Sequence, residues 1–167
     1  MSAGNIQQPT TKPSPTEWLL YASLVLGIAH HVDHLLRFDH SGWLFRPDVT
    51  PFTWSLLVYP VLLFALWAAH RPRLRAIAIG LLFVFPTVAH VIIETPVDQY
   101  ITWTQRPDVN VLGAASPVMG SMAVFITLAL SLCTDLAFAS ALRDNQRRRT
   151  PSNIGTPSTD SETKHTA

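Results

Sequence analysis

Four long stretches of this 167-residue chain, Trp18 to Leu36, Phe52 to Ala69, Leu74 to Ile93 and Pro117 to Leu142, contain very few charged residues. Each is about 18 to 26 residues long, and a helix rising 1.5 Å per residue crosses a hydrocarbon layer of roughly 30 Å in that length. In lipid every backbone N–H and C=O must be satisfied within the segment, so an apolar run of this length has to be helical. The composition agrees: 48% apolar against 14% charged residues is too apolar for an ordinary water-soluble domain. The expected fold is therefore all-α, an integral membrane four-helix bundle.

The basic residues set an expected orientation. Arg71, Arg73 and Arg75 fill the short link between the second and third stretches, and Arg143, Arg147, Arg148 and Arg149 follow the fourth. Such clusters favour the cytoplasmic side, which puts both termini in the cytoplasm of a multi-pass cell-membrane protein. The first stretch lacks a charged leader and a small-residue cleavage site, so it reads as a span and not as a removable signal. Residues 1–16 and 143–167, rich in Ser, Thr, Pro and charge, read as disordered cytoplasmic tails flanking a membrane domain at 17–142. One cysteine, Cys133, excludes an internal disulfide and a Cys-rich metal site. No phosphate-binding loop or nucleotide fingerprint is present, and no nucleic-acid partner is expected.

Within the apolar frame the chain partly repeats itself at a spacing of 60 residues. Ala29-His30 recurs as Ala89-His90, Trp43 as Trp103, and Arg46-Pro47-Asp48-Val49 as Arg106-Pro107-Asp108-Val109. Seven identities in 21 positions point to a duplicated unit, two parallel helical hairpins at about 17–70 and 74–142. Both copies would run outward through the membrane, so His30 and His90 are expected at similar depth near the outer face. The outer loops, 38–51 and 95–116, would form a cap in which Trp43, Tyr100 and Trp103 sit at the membrane interface.

The unit carries ionisable groups. His30 and His34 stand four apart in the first copy, His90 and Glu94 in the second, and residues four apart share a helix face. Ser23, Gly27 and Arg37 continue the His30–His34 stripe, Asp33 stands one turn before Arg37 in the favourable order for an ion pair, and Pro60 is expected to bend the second span. Ionisable groups inside a membrane are costly, and they are functional candidates by default. Three imidazoles and a carboxylate, His30, His34, His90 and Glu94, match the ligand preferences of zinc, iron or copper, with Asp33, His31 and Tyr59 placed to orient the imidazoles. Haem b held between His30 or His34 and His90 is a variant that leaves Glu94 without a task.

Two other classes stand beside metal binding. In a metal-free enzyme Glu94 or Asp33, beside histidine, would exchange a proton with a lipid or isoprenoid substrate. Four spans with a His-x-x-x-Glu helix are similar to the emopamil-binding family of sterol isomerases, a likeness of span number and one motif. In a non-catalytic accessory subunit, bound to a membrane protein partner or to another copy of itself, the same polar groups would only hold helices together.

Overall fold

The computed structural model describes residues 12–37, 51–105 and 110–148. Both Arg-Pro-Asp-Val segments, Trp43 and most of both tails lie outside them. Helix α1 (Pro15–Arg37) starts on a capping box: Ser14 Oγ accepts the Glu17 N–H at 3.3 Å, and Glu17 Oε2 accepts the Ser14 N–H at 2.6 Å. Pro15, which has no N–H to lose, occupies the first helical position.

The second span is broken. Helix α2 (Pro51–Ser55) gives way to a turn at 56–57 before α3 (Val58–Trp67), which ends in a 3₁₀ turn at Ala68–His70. Pro60 cannot donate to the Leu56 carbonyl, and the Tyr59 N–H takes it instead at 3.2 Å. The bend expected at Pro60 is thus a break one turn earlier.

Helix α4 (Pro72–Val88) passes through Pro86 and closes in a π turn at Ala89–Ile93. The next residues form α5 (Pro96–Gln105), a 3₁₀ turn at Asn110–Ala115 with Gly113 at φ 54°, and α6 (Ser116–Arg147). The segment expected as a capping loop therefore holds a two-and-a-half-turn helix, and α6 continues five residues past the expected boundary at 142. A second capping box starts α5: Asp98 Oδ2 accepts from the Thr95 N–H at 2.9 Å and hydroxyl at 2.7 Å, while Thr95 Oγ1 accepts the Asp98 N–H at 3.2 Å. Among the described residues there is no strand.

Four segments, Pro15–Arg37, Phe52–His70, Pro72–Ile92 and Leu112–Arg147, are long and apolar enough to cross a membrane. Their packing is inverted relative to a water-soluble bundle. Phe125, Val91 and Val25 are about two-thirds or more exposed, while Arg37, Gln99 and Thr16 are wholly buried. Helix α6 is the hub, lying along α1, α4 and α5, and α3 lies along α4. Because α1 touches α3 only lightly, the four spans do not divide into two equally packed hairpins. Leu20, Leu62, Ile79 and Leu82 pack with Ala65, Ala76, Ala78, Ala137 and Ala141 toward the arginine-rich end. Small residues predominate there because van der Waals packing, not exclusion of water, holds helices together in lipid.

Candidate functional site

The polar groups gather at the opposite end, where α1, the π turn, α5 and α6 meet. The α-helical stripe on α1 forms as its spacing requires: Ser23, Gly27, His30 and Arg37 are buried, and His34 is partly so. The second copy departs from its expected geometry. The π turn ends the helix at Ile93, and Glu94 is extended (φ −143°, ψ 104°), with its N–H on the Ala89 carbonyl at 3.0 Å. Glu94 is therefore not a helical partner of His90 on one face. Its carboxylate reaches α1 from the end of the chain turn, a placement that π turns often provide at functional sites.

Two histidines sixty residues apart in the chain nevertheless meet. The His30 and His90 rings are in edge-to-face contact, with centroids 4.8 Å apart. His34 Nε2 lies 3.1 Å from His30 Nε2 and 3.2 Å from Glu94 Oε2. Arg37, with no exposed surface, donates from Nε to Asp33 Oδ2 at 2.9 Å, from Nη1 to Glu94 Oε1, and from Nη2 to His34 Nδ1 at 3.3 Å.

These contacts fix the proton positions. Because His34 Nδ1 accepts from a guanidinium, its proton is on Nε2, between His30 Nε2 and Glu94 Oε2. His30 then accepts at Nε2 and donates from Nδ1 to Thr127 Oγ1 at 3.2 Å. The Thr127 hydroxyl donates to Gln99 Oε1 at 2.9 Å, and Gln99 Nε2 donates back to Glu94 Oε2 at 3.4 Å. Glu94, His34, His30, Thr127 and Gln99 thus form a closed ring of polar contacts in which the single His34 Nε2–H is shared between His30 Nε2 and Glu94 Oε2. The described part of the cluster holds two carboxylates, Asp33 and Glu94, and one guanidinium, Arg37.

Asp33, read as a candidate acid or base, is fully engaged: Oδ2 holds Arg37, and Oδ1 accepts the Trp103 indole N–H at 2.8 Å. Trp103 is 3% exposed, so it is no interfacial anchor. The polar N–H of a buried tryptophan needs a partner, and Asp33 provides it. His31 and Tyr59 do not orient the site imidazoles. They form a second branch in which His31 Nε2 lies 2.8 Å from Ser55 Oγ, and His31 Nδ1 lies 2.9 Å from the Gly27 carbonyl and 2.8 Å from the Tyr59 hydroxyl. Sequence reading missed Gln99 and Thr127. The one signal for them was a Gln in the segment after the third span and a Thr in the fourth, both polar groups that burial in lipid obliges to pair.

Of the four expected metal ligands, His30, His34 and Glu94 converge. His90 touches His30 but directs Nδ1 to the Glu94 carbonyl at 3.4 Å. Among the described residues no group of three or more His, Cys, Asp or Glu side chains is arranged to hold a metal ion. His30 and His90, expected as axial ligands of a haem, stand here in direct edge contact.

The fold and this cluster define the class: a helical protein of four apolar spans with a buried His/carboxylate network near one end. The chain matches no protein family, no curated protein and no solved structure.

Proposed function

We propose that this is a multi-pass membrane protein whose histidine and carboxylate cluster works as a metal-free acid–base site for a lipid or isoprenoid substrate, with both termini in the cytoplasm. One observation supports it above others: the Glu94 carboxylate meets His34 Nε2 at 3.2 Å inside a network of polar groups that also holds Arg37 and Gln99. Glu94 is the base that takes a proton, and His34 with His30 stabilises either protonation state through the ring of bonds. Arg37 donates to Glu94, and Asp33 and Trp103 position Arg37. Side chains of Glu94 and His34 are 17% and 18% exposed, which leaves the acid–base pair accessible from outside the bundle.

The test does not depend on which lipid is the substrate. Protein reconstituted with total lipid and isoprenoid extract in D₂O is expected to place deuterium on carbon of one lipid class, read by mass spectrometry. Glu94→Gln is expected to abolish that label. No carbon label with the wild-type protein removes the acid–base reading.

A second reading rests on a different observation. The His30–His34 and His34–Glu94 separations of 3.1 and 3.2 Å are close to the spacing of adjacent donors around tetrahedral zinc, roughly 3.3 Å for bonds near 2.0 Å. A zinc, iron or copper ion would bind there only if Arg37 released Glu94 and His34 lost its Nε2 proton. Metal analysis of purified protein beside a His30→Ala/His90→Ala variant tests it; equal metal in both samples removes this reading. If both tests fail, the accessory-subunit reading is the one left.

A further inference from the structure

Asp135 is the one acidic residue in the 117–142 stretch, and its depth follows from the packing of α6. On one side Thr127 bonds to His30 and Gln99. On the other, the Phe138 ring stacks on Phe83 with centroids 5.5 Å apart, and Thr16 Oγ1 meets Ser140 Oγ at 2.8 Å and Asp144 Oδ2 at 3.3 Å. Eight residues separate Asp135 from Thr127 and eight from Arg143, about 12 Å of helix each way. A carboxylate on so short a stem reaches neither the Thr127 level nor the Arg143 level from there, unlike the long side chains of Lys and Arg.

The side chain also points away from the bundle. Asp135 is exposed, whereas its neighbours Thr134 and Ala137 are buried, and among the described residues it makes no hydrogen bond or ion pair. Phe125, Leu128, Leu132, Asp135, Ala139 and Leu142 alternate at spacings of three and four along this exposed face. That is the spacing of a helix-packing seam. Intramembrane carboxylates otherwise face a bundle interior or a partner.

The partner's charge follows from what this chain lacks. Residues 17–29, 60–69, 76–89 and 117–142 contain no Lys, Arg or His. At this depth a second copy would therefore offer Asp135 no cationic side chain. We infer that the Asp135 face of α6 docks a transmembrane helix of a different protein that carries a Lys or Arg at the matching depth.

The full chain, labelled at its C-terminus and reconstituted in phosphatidylcholine vesicles, tests this by energy transfer to synthetic Leu/Ala transmembrane peptides. A peptide with one Lys about eight residues from its arginine-flanked end is expected to bind about tenfold more tightly than the all-apolar peptide, about 1.4 kcal/mol. Asp135→Leu is expected to erase the difference, and Asp135→Asn to retain part of it by hydrogen bonding. Should Asp135→Leu fail to fold by circular dichroism, Asp135→Asn carries the comparison, with a reduced difference expected. Equal transfer from Lys and apolar peptides to the wild-type chain overturns the inference. So does transfer between labelled copies of the chain that Asp135→Leu or Asp135→Asn abolishes, which would make the occupant a second copy.

Discussion

Arg37 is the residue on which the polar cluster depends, and Arg37→Met is the perturbation that tests this. The guanidinium is wholly buried and donates to two carboxylates, Asp33 and Glu94, and to His34. Hydrogen bonds to charged groups contribute about 1.5–3 kcal/mol each, so the two carboxylate contacts bound the loss at about 3–6 kcal/mol. Removing one member of a buried ionic set typically costs 3–5 kcal/mol, because the remaining charge is left uncompensated. Proton uptake by Glu94 relieves part of that penalty, and the expected destabilisation is about 3–5 kcal/mol, more than 100-fold in the unfolding equilibrium. Unfolding by dodecyl sulfate in mixed micelles, followed by tryptophan fluorescence, measures it. Glu94→Gln in the same background is expected to recover about 1–2 kcal/mol, since it removes one of the stranded charges. Destabilisation under 1 kcal/mol, or strictly additive effects in the double variant, would refute the account of Arg37 as the shared counter-ion.

Three further outcomes follow from neighbouring geometry. Trp103→Phe keeps the buried ring but removes the N–H on Asp33, and a loss of about 1.5–3 kcal/mol is expected in the same unfolding assay. Gly120→Ala would put a Cβ 3.0 Å from Tyr100 Cδ2 and 3.3 Å from Trp103 Cβ, so α5 must give by a few tenths of an ångström; a cost of about 1–3 kcal/mol and a shifted Trp103 emission are expected. The Thr95 hydroxyl and N–H hold the Asp98 carboxyl below the usual carboxylate range. Such a depressed group adds stability at pH above its unfolded value and loses it as pH falls through the folded one. Thr95→Val is expected to move the Asp98 titration, followed by carboxyl-carbon NMR, upward toward the ordinary value.

How much of the site was legible can be argued residue by residue. His30, His34 and Arg37 were readable because α1 is a regular helix, where residues three and four apart must share a face, and Asp33 pairs with Arg37 for the same reason. His90 lies against His30, sixty residues away in the chain. Glu94 met its expected neighbours by another route. The same i+4 arithmetic fails there, since a π turn spends an extra residue and Pro96 starts a new helix directly afterward. Gln99, Trp103 and Thr127 were not legible as site residues, because their roles depend on how α5 folds back between α1 and α6. Ser14 and Thr95, each followed by Pro and three residues later by an acid, were readable capping boxes that start α1 and α5.

The sequence by itself determined the four apolar spans, their helical state and the presence of costly ionisable groups near one end. Hydrocarbon cannot hydrogen-bond a peptide group, so length and apolarity leave one local solution. Tertiary structure decided which polar groups are partners, because hydrogen-bond satisfaction is a property of where helices meet and not of spacing along one of them. It placed the Arg37 guanidinium between Asp33 and Glu94 in the set that spacing had suggested for a metal, closed the ring through Thr127 and Gln99, and left Asp135 facing outward.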